Sequence, residues 1–181
     1  MTDERLFPIR PASAEDYAGL AALELAADAV FEQFGIWPLP QTQPLPLPHT
    51  PDFTDAAAVL VAGRPPVGFA RLDLVGAVPH IEQLSVHPAF VRRGLGTALV
   101  QACCDWAVSN HHSALTLTTF ADVPFNAPFY ARLGFTVIDP AALPEPLAAL
   151  RRHEAEIGLD ALGPRVAMRC ALPASGPRHT A

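Results

Sequence analysis

Apolar and polar positions alternate along the chain in two periods, one helical and one extended, and the changes between them mark out the elements. Leu6 to Arg10 reads as a short strand. Ser13 follows as a helix N-cap, with Glu15 and Asp16 in the first turn, where acids favour the positive end of the helix dipole. The pattern predicts a helix from Ala14 to Ala27 and a second helical piece from Asp28 to Gly35. Strand-like patterning then covers Ala58–Ala62, Val67–Val75 and Pro79–Val86, broken by Gly63-Arg64-Pro65-Pro66 and by Gly76, which predicts a meander of three antiparallel strands. Leu95, Ala98, Leu99, Ala102, Cys103 and Trp106 recur at spacings of three and four, so a helix opened by Gly94 runs to Ser109 with one stripe for a sheet. Ala114–Phe120 is a β-branched strand, Pro124–Leu133 a short helix stopped by Gly134, and Phe135–Ile138 another strand. A helix over Glu145–Ile157 and a strand over Arg165–Ala171 complete an alternating α/β order, with residues 173–181 as a flexible tail.

One stretch departs from both periods. Six of the fourteen residues from Pro38 to Pro51 are proline, which excludes helix and central strand and predicts an extended, proline-rich loop over 38–52. A ligand for an SH3-type domain is the alternative for that stretch. With 181 residues, half of them hydrophobic, residues 1–172 are expected to form one domain around one core.

Charge and cysteine content narrow the partners. Twelve Lys and Arg face eighteen Asp and Glu, a formal charge of −6, which argues against nucleic acid and anionic membranes as partners. Three cysteines, Cys103, Cys104 and Cys170, give no CxxC pair and no disulfide framework. No apolar run approaches the roughly 18 residues of a membrane span, and Met1-Thr2-Asp3-Glu4 is acidic where a signal peptide is basic; a cytoplasmic location is expected. The seven histidines show no metal-binding spacing, so no metal is expected.

The strongest local signal is the run His87-Pro88-Ala89-Phe90-Val91-Arg92-Arg93-Gly94-Leu95-Gly96-Thr97 between a strand and a helix. Unpaired backbone N–H groups at a helix start, approached without a Cβ at the two glycines and flanked by two arginines, suit an anion. A tight strand-to-helix turn is the plainer use of the same glycines. The P-loop is excluded by the missing Gly-Lys-Ser/Thr, and a Rossmann site is disfavoured by the antiparallel meander before it.

Three segments together resemble the GNAT family of acetyl-CoA-dependent N-acetyltransferases. Ile81-Glu82-Gln83-Leu84-Ser85-Val86-His87-Pro88 is similar to that family's fourth strand, and Arg92-Arg93-Gly94-Leu95-Gly96-Thr97 to its pyrophosphate loop. Asn126-Ala127-Pro128-Phe129-Tyr130-Ala131-Arg132-Leu133-Gly134-Phe135 is similar to its last motif. The family's Q/R-x-x-G-x-G/A pattern begins with Gln or Arg where this chain has Val91. The resemblance implies a mixed, mostly antiparallel sheet of about six to seven strands, helices on both faces and a splay between strands 4 and 5.

The same resemblance implies a set of roles. Backbone groups of Leu84, Ser85 and Val86 bind the pantetheine arm of acetyl-CoA like an added strand, and Val91 to Thr97 bind its pyrophosphate. Asn126 and Phe129 belong to the cofactor side, with an ordinary N-cap as the alternative for Asn126. Tyr130 stands beside the sulfur, where a phenol of pKa about 10 suits the leaving thiolate. Attack requires a neutral amine, so a base or a water path is needed. Glu82 is the first candidate and His80 the second, a strand period of two placing both on one face with Leu84; an ion pair with an arginine is the alternative for Glu82. Thr118 and Thr119 face the acetyl region or serve only as sheet residues. Ile36, Trp37, Leu39 and Phe53 form an acceptor wall or pack in the core. The acceptor is an unidentified primary amine; the rival function is a non-catalytic acyl-CoA-binding or sensor protein, and a homodimer is an open alternative.

Overall fold

The computed structural model describes residues 6–36 and 53–173. The proline-rich stretch, Trp37, Leu39 and all of the tail beyond Pro173 lie outside the described residues. The chain runs through β1 (Ile9–Pro11), α1 (Ala14–Asp28), a 3-10 turn (Ala29–Phe34), β2 (Ala58–Ala62), β3 (Gly68–Val75) and β4 (Val78–Val86). It continues through α2 (Leu95–Ser109), β5 (Ala114–Phe120), α3 (Ala127–Arg132), β6 (Thr136–Val137), α4 (Glu145–Glu156) and β7 (Arg165–Ala171). The strands form one mixed sheet in the order β1-β2-β3-β4-β5-β7-β6, antiparallel at every pairing except β4 with β5.

Helix α1 starts where its cap predicts. Ser13 is extended, and its backbone N–H and hydroxyl both donate to Asp16 Oδ2, at 2.7 and 2.8 Å. Arg10 holds the same carboxylate bidentately at 2.7 and 2.8 Å, tying β1 to the helix start. The predicted first strand is shortened to Ile9–Pro11, because Phe7 leaves the ladder to pack edge-on against Phe90, ring centroids 5.2 Å apart. The second helical piece is a 3-10 turn. Its three residues per turn bring Phe31 and Phe34 to the same side, where both meet Phe125 at 5.2 and 5.4 Å.

The sheet is apolar on both faces. On one, Leu60, Ala70, Leu72, Ile81, Leu115 and Leu117 meet the α2 stripe of Leu95, Leu99 and Cys103. On the other, Val59, Val61 and Phe69 pack against Leu20 and Leu23 of α1. Phe53 is enclosed there, 6% exposed, stacked on Tyr17 and edge-on to Phe69. It packs in the core, the second of the two roles open to it from the sequence. Among the described residues no helix is long and apolar enough to cross a membrane.

Two irregularities interrupt the middle of the sheet. Strands β4 and β5 share the rungs His80↔Thr116 and Ile81↔Leu117, so past Ile81 the edge of β4 that faces β5 has no partner strand among the described residues. In the β3–β4 ladder Arg71 faces Gln83 and its neighbour Leu72 faces Ile81, which leaves Glu82 as an extra residue in a bulge.

Candidate active site

The anion loop forms as its residues dictate. Arg92 and Gly94 both take left-handed backbone, φ 62 and 84°, and Gly94 caps α2 without a side chain. The first helical bond runs from Ala98 N–H to Gly94 C=O, so the N–H groups of Leu95, Gly96 and Thr97 have no helical acceptor and point out of the helix start. Arg92, Arg93 and Thr97 are exposed beside them, with the Arg93 guanidinium 5.4 Å from the Phe90 ring centre. Val91 is 49% exposed and carries an apolar side chain where the family pattern has Gln or Arg. The Leu95 side chain is buried in the core, so only its backbone faces the loop. A Cβ on Gly96 would stand 3.5 Å from the Phe129 ring, which brings the glycine motif of α2 and the α3 motif into contact.

The same α3 motif supplies two polar groups. Asn126 occupies the N-cap position, but its side chain makes no capping bond and no hydrogen bond to a described residue. Tyr130 is 8% exposed, packed edge-on to Phe129 and Phe135. Burial first, then the neighbouring Cys103 thiol, pushes its phenol well above the ordinary range, so it is a protonated O–H at neutral pH.

His80 is fully enclosed rather than a surface residue at a strand start, 1% exposed. Its Nδ1 lies 2.9 Å from Thr116 Oγ1, which lies 3.1 Å from the carbonyl of Pro79. The hydroxyl has one proton and the carbonyl can only accept, so Thr116 donates to Pro79 and accepts from Nδ1–H. That fixes the tautomer with a lone pair on Nε2, which has no hydrogen bond to a described residue. Burial lowers the pKa to about 4, against the charge of Glu154, so the ring is neutral at pH 7.

The single face expected for His80, Glu82 and Leu84 is corrected by the bulge, which ends the period of two. His80 faces Asp73, on the side of β3 that carries Phe69 and Arg71 toward α1, whereas Leu84 faces Ala70 on the α2 side. Glu82 is solvent-accessible and makes no ion pair with a described residue. Desolvation raises its pKa, helped by Asp73 and Glu154 and opposed by Arg71 and Arg165. Ser85 is buried and accepts from Gln83 Nε2 at 2.9 Å. Thr118 donates to Glu154 at 2.5 Å, so it belongs to a polar network on the α1-facing side of β5. Burial pushes Glu154 up, but Arg165, Thr118 and Arg151 outweigh it and leave the carboxylate ionised.

Two groups of residues are not singled out by the sequence patterns. Glu24 and Asp28 follow the buried Leu20 at steps of four on α1, and thus carry the helix's inner face past the core and over β4. Desolvation, then the charge of Asp28, raises Glu24 to about 7, with Arg71 opposing and Glu82 adding. Desolvation alone raises Asp28 to about 6. The spacing Leu20, Glu24, Asp28 is the signal that points to them. The second group is aromatic: Phe31 meets Phe120 at 5.8 Å as well as Phe125, and Arg165 lies over the Phe120 ring at 4.8 Å. The 3-10 turn therefore reaches across to the far end of β5. Ala29, Val30, Glu32 and Gln33 of the turn also line an open cavity of about 590 Å³ together with Pro88, which follows β4.

A sheet parted at one parallel pair, with an anion cradle at the head of the following helix, is the arrangement of the coenzyme A-dependent acetyltransferases. The chain matches the Acetyltransferase (GNAT) family over residues 21–135 and belongs to that family. Its fold is shared by an acetyltransferase of the GNAT family from Staphylococcus aureus Mu50, with a TM-score of 0.68, 14% identity, and coverage of 92% of this chain and 99% of that one. The ribosomal-protein-S18-alanine N-acetyltransferase from Escherichia coli is similar at TM-score 0.61 and 16% identity, over 96% of this chain and 98% of that one. The PaiA N-acetyltransferase from Thermoplasma acidophilum, solved in complex with coenzyme A, is similar at TM-score 0.61 and 15% identity, over 91% and 98%.

Proposed function

We propose that this acetyltransferase carries acetyl from acetyl-CoA directly to a primary amine in a ternary complex. The observation that carries the reading is the edge of β4 past Ile81, which among the described residues has no partner strand, on the strand that carries His80 and Glu82 and runs on to the cradle at residues 92–97. Backbone groups of Leu84, Ser85 and Val86 on that edge take the amides of the pantetheine arm as a neighbouring strand does. The N–H groups of 95–97 with Arg92 and Arg93 take the pyrophosphate, and Asn126 offers its side-chain amide to the arm.

The chemistry divides between base and acid. An alkylammonium reaching the splay gives up one proton to Glu82, whose raised pKa makes it a better acceptor than an ordinary carboxylate, while Nε2 of neutral His80 holds a second N–H. The amine nitrogen attacks the thioester carbonyl. As the C–S bond breaks, Tyr130 donates its proton to the sulfur and is reprotonated by the nitrogen, so the products are the amide and the free thiol of CoA. Measuring CoA release from acetyl-CoA across a panel of amines tests the reading. Amine-dependent release is expected; tight acetyl-CoA binding with no turnover on any amine overturns it in favour of an acyl-CoA-binding protein.

A further inference from the structure

Beyond the rung Ile81↔Leu117 the next residue on β4 is Glu82 and the next on β5 is Thr118, so these two stand first on opposite banks of the splay. Thr116 bonds to His80, and the period of two returns Thr118 to that same face of the sheet, about 7 Å further along β5. There the Thr118 hydroxyl donates to Glu154 Oε1 at 2.5 Å, and Arg165 Nη2 donates to the same oxygen at 2.8 Å. Arg151 holds the other carboxylate oxygen, and is itself held by Asp160 at 2.8 Å. Glu154, 7% exposed, thus carries a fixed negative charge on the bank of β5, with the positive charge of Arg165 beside it. Arg165 is incompletely matched, because its Nε is enclosed and has no hydrogen-bond partner among the described residues. A buried ion pair is a costly way to join α4 to β7, since well-packed apolar side chains of similar volume would hold them as well. The acetyl transfer derived above gives the pair no task, yet its charges act on both groups that handle the proton: Glu154 raises and Arg165 lowers the pKa of His80 and of Glu82.

Resting on the acetyltransferase reading, we propose that Glu154 and Arg165 are a positioning pair on the far bank of the splay, whose opposite charges together set how readily Glu82 accepts the proton of the incoming amine. Neither touches the amine. Glu154 favours the protonated form of Glu82 and Arg165 its ionised form, and Thr118 holds both charges at the point where the strands part. With both present, Glu82 accepts a proton more readily than beside Arg165 alone and ionises more readily than beside Glu154 alone. Glu82 also meets Asp73 and Arg71 from β3 and Glu24 from α1, and His80 precedes it on β4. Those groups are unchanged when the pair is altered, so they fix where Glu82 titrates and leave the direction of each shift to Glu154 and Arg165. Removing Glu154 should lower the pKa of Glu82, and removing Arg165 should raise it. A role confined to holding α4 against β7 predicts neither: both substitutions would then weaken the fold and leave the titration in place.

The test follows the acid limb of kcat/KM in the full chain, with acetyl-CoA and one amine throughout, the fastest among 1-aminobutane, 1,4-diaminobutane and alaninamide. The amine's own titration is then common to every variant. We expect Glu154→Gln to move the limb to lower pH and Arg165→Gln to higher pH, each by about half a unit or more, and Arg165→Lys to leave it near wild type. Should neither glutamine variant fold alone, Glu154→Gln with Arg151→Gln leaves one unmatched arginine in place of two and should move the limb as Glu154→Gln does. A limb that stays put in the folded variants, or moves the same way in Glu154→Gln and Arg165→Gln, overturns the inference and leaves the acetyltransferase reading standing. Absence of turnover on every amine overturns that reading instead. Whether the pair acts across the splay is then decided by NMR titration of His80, which meets the same two charges: a pKa lowered from about 4 in Glu154→Gln and raised in Arg165→Gln supports it, and an unmoved one sinks it.

Discussion

Nδ1 of His80 and the hydroxyl of Thr116 meet at 2.9 Å on the last rungs that join β4 to β5, so the tautomer of the imidazole is set by the strand across the splay. Thr116→Val removes the acceptor of a buried N–H and should cost about 1–3 kcal/mol of unfolding free energy, read by urea titration. Thr116→Ser should recover most of it. A wild-type midpoint in Thr116→Val would show that Nδ1 carries no proton.

Tyr130 acts late in the reaction if it protonates the departing sulfur. Tyr130→Phe keeps the ring that packs on Phe129 and Phe135, so acetyl-CoA affinity should stay near wild type while kcat drops by roughly 10²- to 10⁴-fold. Unchanged turnover ends the assignment.

Glu82 and Tyr130 are separable by pH. Glu82→Gln should lose activity most near neutrality and regain part of it at pH 9.5, where free amine forms without help; Tyr130→Phe should show no such rescue. Equal fractional loss for Glu82→Gln at pH 7 and 9.5 would make the residue structural.

The exposed arginines of the cradle make a salt-dependent prediction. Arg92→Ala with Arg93→Ala should weaken acetyl-CoA by about tenfold or more at low ionic strength, and by less as salt screens the remaining charge. Calorimetry at two salt concentrations measures both, and unchanged affinity would move the pyrophosphate elsewhere.

Asp16 gives the fold an acid limit. Hydrogen bonds from Arg10, then those of Ser13 against the cost of burial, hold its carboxyl well below the usual range. Its folded pKa is depressed, so its stabilisation is complete above an unfolded pKa of about 3.9 and is lost as pH falls below that value. Asp16→Asn should cost about 3 kcal/mol at pH 7, because Arg10 is left without its partner, and should flatten the acid limb of the stability curve. Parallel pH dependences for the two proteins would contradict this.

Strands β2, β5 and β7 are legible to the residue, since each is a continuous apolar or β-branched run between breakers. The kind of helix after Asp28 is not: α and 3-10 patterns share the Phe31–Phe34 spacing, and the choice is made by Phe120 and Phe125, far away in the chain. The loop at 91–97 is legible because glycine at a left-handed cap is a local demand. Glu82 is singled out by its motif and assigned the wrong face, because a bulge is a property of two strands and Glu82 belongs to only one of them. Glu24 and Asp28 are hidden for a related reason, since acids on a helix read as solvated until the sheet beneath them is known.

Two rungs are a slender seam for a sheet of seven strands, and β1–β4 meet β5–β7–β6 along it. A ligand lying against the bare edge of β4 supplies backbone partners where the neighbouring strand has none, and so completes the sheet as well as occupying it. Under the proposed function acetyl-CoA is a removable part of the architecture: bound along that edge it would fasten the two halves, and its loss as CoA after each transfer would loosen the seam through which the next donor enters.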